Sequence, residues 1–186
     1  MSNFRITRSW IPDLRIIETR RFADDRGHFS ETFSQSALAD DGFDAPFVQD
    51  NQSLSRATGT LRGLHFQTAP FAQDKLVRVI AGSVWDVAVD LRRSSPTFRQ
   101  WYGLELSAEN GLQLLVPVGF AHGFLTLEPD TIVAYKVTAP YSGANDAGVA
   151  WDDPDLAVGW PLPVAEPVLS DKDRNLPRLA HAALFD

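Results

Sequence analysis

The sequence predicts a mainly β protein, an antiparallel barrel with a small helical margin. Three observations carry that expectation. Glycine and proline, 12 of each in 186 residues, break the chain at short intervals. Between the breaks lie short runs rich in β-branched and aromatic residues, the pattern of a sandwich or barrel. The clearest run, 84–91, alternates: Trp85, Val87, Val89 and Leu91 share one face, and Asp86, Ala88 and Asp90 the other.

In chain order, 14–21 and 28–33 read as strands joined by the polar turn 22–27. A short helix from Ser34 to Asp41 follows, with Gly42 as its left-handed stop. The run 75–80 continues into 84–91 through the tight connection Ala81-Gly82-Ser83. Further short runs are 99–106, 112–116, 121–127 and 131–137, joined at 107–111, 117–120 and 128–130. Pro154, Pro161, Pro163 and Pro167 make 151–167 an extended loop. Ser170 and Asp173 suit a helix cap, Pro177 closes that short helix, and another is expected over 178–185.

Length and charge bound the function. A chain of 186 residues suits one domain spanning 1–186, large enough to bury about 70% of its unfolded surface. With no cysteine, disulfides, thiolate zinc, iron–sulfur clusters and cysteine nucleophiles are excluded. A net charge of −7 disfavours nucleic-acid and anionic-membrane partners. No signal-peptide pattern opens the sequence and no run of about 18 apolar residues occurs, so a soluble cytoplasmic protein is expected.

Two of the four histidines sit in patterned contexts. Gly59 precedes His65 by the spacing of the first half of the cupin signature. Gly111, Pro117, Gly119 and His122 match the second half, except that Thr126 stands at its last position. The chain therefore resembles the cupin superfamily, which implies a double-stranded β-helix, or jelly roll, with both imidazoles pointing inward. Many cupins hold a divalent metal there. This chain offers His65-Phe66-Gln67 with no glutamate in 68–74, leaving two nitrogens, a neutral Gln and at most Asp74. A catalytic zinc or a facial iron triad needs three protein ligands, so no metal is expected.

Other residues suit proton transfer. Arg62 lies three residues before His65, and a regular strand would aim them oppositely. A bulge at Gly63 would bring both to one cavity. An imidazole serves as base near neutral pH, better so when a carboxylate fixes its tautomer. Asp171 is the candidate carboxylate, although as a first-turn acid it also has a plain capping role. Tyr135 offers a phenol, or simply a half-buried strand tyrosine.

Ordered blocks then converge. Asp24–Phe33, Phe47–Asn51, Leu61–Gln67, Gln73–Val79, Pro117–Phe124, Tyr135-Lys136, Trp151–Pro154 and Leu169–Asp173 together resemble the dTDP-4-dehydrorhamnose 3,5-epimerase family. The resemblance implies a cofactor-free, homodimeric isomerase acting on a dTDP-linked keto-deoxy sugar, with N-terminal segments crossing between subunits. It implies His65 as base, Asp171 as its orienting partner, Tyr135 as the acid on the opposite face, and Lys75 at the enolate oxygen. Arg26, Glu31, Gln49, Asn51, Arg62, Tyr141 and Lys172 would bind the nucleotide diphosphate or line the pocket, and His122 would shape it. Alternatives are an epimerase acting at C3 or C5 alone, as in antibiotic-sugar synthesis, and a metal-dependent cupin.

Overall fold

Short alternating runs pair into two facing sheets in the computed structural model, which describes residues 2–161 and 166–186. In chain order the elements are β1 (Phe4–Arg8), β2 (Arg15–Thr19), β3 (Arg21–Asp24), β4 (Gly27–Ser30), α1 (Gln35–Asp40), β5 (Gln49–Ser55), β6 (Leu61–Gln67) and β7 (Lys75–Ala81). There follow β8 (Ser83–Asp90), β9 (Trp101–Ser107), β10 (Leu112–Val116), β11 (Phe120–Thr126), β12 (Thr131–Val137), β13 (Asp146–Gly148) and α2 (Asp171–Arg174). One sheet has the order β1-β2-β10-β7-β12-β5, and the other β13-β6-β11-β8-β9. All their pairings are antiparallel. The result is a cupin-like jelly roll.

The core has three parts, and the alternation of β8 explains why. Val84 and Ala88 face inward, with Val77, Val79, Leu114, Phe120, Phe124 and Val133. Val87, Val89 and Leu91 point the other way, where Leu64, Phe66, Val149, Leu156 and Leu179 cover them. The apolar stripe of β8 thus faces the C-terminal tail, while its Asp86 face looks into the barrel. Outside the six-stranded sheet, Leu38 of α1 and Phe43 pack on Ile17, Leu76 and Leu115. Each fully buried aliphatic side chain contributes about 1.5–3 kcal/mol.

Several expected boundaries shift. The run 14–21 ends as a sheet strand at Thr19, and its last residues open the separate hairpin β3–β4. The helix expected over 178–185 is one 3-10 turn, Leu179–His181. Its end stays extended because Phe185 exchanges backbone hydrogen bonds with Arg93 and Leu91. β1 and β13 are short, and β5 reads QDNQSLS, with Leu54 its one apolar residue, so no apolar alternation marks it. Pro163 of the proline-rich loop lies outside the described residues. Among the described residues no helix is long and apolar enough to cross a membrane.

Candidate active site

The site begins with a break in strand pairing. On β6 and β11, His65 lies opposite His122, but Arg62 lies opposite Phe124. Three steps on β6 therefore match two on β11, a bulge at Gly63-Leu64. Gly63 has φ +126°, and a Cβ there would lie 2.6 Å from Gly123 Cα and 2.9 Å from His122 O. Only two glycines allow this approach, and the bulge turns Arg62 and His65 into the same space.

That space is a cavity of two adjoining chambers, of about 220 and 280 Å³, sharing His65, Lys75, Tyr135 and Lys172. The outer chamber adds Gln49, Asn51, Gln67, Gln73, Tyr141 and Asp146. The inner one adds Ser53, Arg62, His122, Phe124, Ser170 and Asp173. His65 comes from the five-stranded sheet, and Lys75 and Tyr135 from the six-stranded one. The imidazole and the phenol thus stand on opposed walls.

His65 is paired with Asp173, whose Oδ1 lies 2.6 Å from Nε2. The carboxylate sits off the axis of the ring N–H, so the contact is close but poorly aligned as a hydrogen bond. Asp173 is itself anchored: Ser170 Oγ donates to it at 2.6 Å and Gly63 N at 3.2 Å. Burial pushes its pKa up, but the bonds from His65, Ser170 and Gly63 outweigh burial and hold it below the usual carboxylate range. Burial, helped by the charges of Lys172 and Lys75, lowers the pKa of His65 despite Asp173. The imidazole is therefore neutral, and basic, at pH 7.

The expected partner Asp171 is not the one found. It is exposed on the first turn of α2, while Asp173 is buried. The cap explains the difference. Ser170 Oγ accepts from the Asp173 backbone N–H at 3.1 Å and donates to its carboxylate, so capping draws Asp173 back toward β6.

Lys75 is buried, its Nζ donating to His65 O at 3.1 Å. Burial lowers its pKa to about 8, against the opposing pull of Asp146 and Asp86. Tyr135 is raised above the usual phenol value, chiefly by burial, so it remains a protonated donor. His122 Nε2 lies 2.9 Å from buried Asp86. Arg62 lies on the barrel wall, its Nε donating to Ser55 Oγ at 3.1 Å. In the outer chamber, Asp146 accepts from Lys172 at 2.5 Å and from Tyr141 Oη at 3.1 Å. Gln49 donates to Asn51 at 2.8 Å and accepts from Tyr141 N at 3.0 Å.

Two expected site residues lie elsewhere. Arg26 sits at the tip of the β3–β4 hairpin, its side chain 89% exposed and paired with Asp24. Glu31 accepts from Asn3 at 2.9 Å. Neither lines the cavity, because the hairpin leaves the barrel. Sequence reasoning missed Asp173 as the partner, and also Asp146, Asp86 and Ser53. The Ser170-x-x-Asp173 box was a signal for the first; the others have no local motif.

Both imidazoles are engaged by carboxylates, and among the described residues no three His, Asp or Glu side chains converge as metal ligands. The arrangement is a jelly-roll cavity with a neutral imidazole and a protonated phenol on opposed walls and an ammonium beside them, the groups that an enzyme moving protons on carbon needs. Comparison narrows the class. Residues 8–181 match the family model for dTDP-4-dehydrorhamnose 3,5-epimerase. A curated enzyme of that name from Sinorhizobium fredii is 53% identical over 169 residues, 91% of this chain and 86% of its own. The crystal structure of the Bacillus anthracis enzyme with TDP and PPi bound superposes with a TM-score of 0.90 at 52% identity, covering 94% of this chain and 99% of that one. The Legionella pneumophila enzyme in complex with dTDP-4-keto-L-rhamnose gives a TM-score of 0.92 at 44% identity, covering 96% and 94%. The chain belongs to the dTDP-4-dehydrorhamnose 3,5-epimerase family.

Proposed function

We propose that this enzyme converts dTDP-4-dehydro-6-deoxy-D-glucose into dTDP-4-dehydro-L-rhamnose by inverting C3 and C5. The observation that carries this reading is the placement of His65 and Tyr135 on opposed sheets around one cavity. The C4 ketone makes the hydrogens on both neighbouring carbons acidic. The His65 nitrogen not held by Asp173 takes one of them, and the electron pair moves onto the C4 oxygen. The Lys75 ammonium stabilises that enolate; one such donor is worth about 3–4 kcal/mol. Tyr135 returns a proton to the opposite face, and solvent restores both groups for the second centre. Asp173 orients His65 and stabilises its protonated form.

Gln49, Asn51, Tyr141 and Lys172 lie at the outer chamber, where a nucleotide diphosphate would enter, with Arg62 deeper in. Arg26 and Glu31 join this set on the further reading that the enzyme is a homodimer. The hairpin supports it: Phe22 and Phe29 are 40% and 70% exposed, and Leu54 and Ile80 lie exposed on the outer face of the six-stranded sheet. A second copy would cover that apolar surface and receive Arg26 in its cavity. Mixed dimers of inactive Arg26→Ala and His65→Ala chains would then regain activity at one site. The proposed compartment is the cytoplasm.

Incubation with the keto sugar in D2O tests the chemistry. Deuterium at C3 and C5, read by NMR together with the L-rhamno product, is expected for the wild type with or without EDTA, and no uptake for His65→Ala. Uptake at one carbon only would make this a mono-epimerase, and loss with EDTA would revive a metal-dependent site.

A further inference from the structure

The inward row of β5 is Gln49, Asn51, Ser53 and Ser55, and three of these have side-chain partners. Gln49 and Asn51 bond to each other, and Ser55 accepts from Arg62. Ser53 Oγ is buried and has no hydrogen-bond partner among the described residues. The register shows why. Ser53 lies opposite Val133 of β12, which lies opposite Val79 of β7, so its row across the sheet is apolar. An unpartnered buried hydroxyl costs stability that an alanine would not. Yet this hydroxyl lines the inner chamber with His65, Lys75 and Tyr135. It shares a wall with Tyr135, which lies opposite Asn51 on the neighbouring strand.

We propose that Ser53 is a specificity residue that bonds the C2 hydroxyl of the sugar, so that the enzyme selects against 2-deoxy sugars; this rests on the epimerase reading above. The substrate's own chemistry singles out that hydroxyl. C3 and C5 exchange protons with His65 and Tyr135, the C4 oxygen faces Lys75, and C1 carries the diphosphate toward the outer chamber. The C6 methyl is apolar and suits Phe124. The C3 hydroxyl changes sides during the reaction. The C2 hydroxyl keeps its configuration, so one fixed group can hold it from substrate to product. A site built to bond a hydroxyl rejects the analogue lacking it, because its own polar group is left unpaired.

The test compares kcat/KM for dTDP-4-dehydro-6-deoxy-D-glucose and its 2-deoxy analogue in the wild type and in Ser53→Ala, with deuterium uptake as the readout. The wild type is expected to prefer the 2-hydroxy sugar by about 10- to 100-fold, and Ser53→Ala to bring that ratio close to one. The melting temperature of Ser53→Ala should equal or exceed that of the wild type, because an orphan hydroxyl is removed. A lower melting temperature would show that Ser53 is partnered within the protein and overturn the assignment. So would an unchanged ratio in Ser53→Ala, or no preference in the wild type. No uptake from either sugar by the wild type would instead overturn the epimerase reading itself.

Discussion

Replacing Lys75 with Met should make the protein more stable and far less active. The Lys75 side chain is 8% exposed, and its ammonium donates to one backbone oxygen, His65 O. Burial lowers its pKa from 10.5 to about 8. Because the folded pKa is depressed, the unfolded chain binds more protons between pH 8 and 10.5, and stability rises with pH across that window. At pH 7 the charge costs the fold about 3 kcal/mol, at 1.36 kcal/mol per unit. Met keeps the aliphatic stem and removes the charge, while the lost bond to His65 O returns about 1 kcal/mol. The net gain of about 2 kcal/mol corresponds to roughly 4–8 °C in Tm for a domain of this size. Loss of the enolate's cation should lower kcat about 100- to 1,000-fold. Thermal melts at pH 7 and pH 10.5 with deuterium-uptake kinetics test both halves. The stability gap should close at the higher pH. A variant less stable than wild type at pH 7, or a gap that ignores pH, would refute the argument that Lys75 is held charged against its surroundings.

The pH profile of kcat/KM should be a bell. Its acid limb lies below pH 6.5, because burial favours neutral His65, and its alkaline limb lies near pH 8, where Lys75 loses its proton; Lys75→Arg should move only the alkaline limb upward. Asp173→Asn should lower kcat by at least about 100-fold, whereas Asp171→Asn, on the exposed first turn of α2, should stay within about twofold by the same kinetic assay. Gly63→Ala should cost at least about 2 kcal/mol in a denaturant melt, because its Cβ meets Gly123 and His122 backbone atoms and its φ is positive.

The dyad shows how far local reading reaches. The segment Ser170–Asp173 announces a cap, and both of its aspartates are plausible partners for a distant imidazole. Choosing between them requires knowing that the third residue of the turn bends back onto its cap, and that the bulge at Gly63 aims a backbone N–H at the same carboxylate. Asp146 is a similar case. It lies in a three-residue strand with no motif, and matters because β13 pairs with β6 and sets it beside Lys172.

By itself the sequence determined the β character of the chain, the histidine positions and the ordered blocks that mark the family, because alternation, glycine turns and motif spacing are local properties. It also singled out His65, Lys75 and Tyr135, which the fold brings to one cavity. Tertiary structure alone decided that β8 turns its apolar stripe away from the barrel, that Asp173 rather than Asp171 meets His65, and that Arg26 stands outside the cavity. Each of these depends on which sheet covers which face, and that is fixed by pairings between residues far apart in the chain.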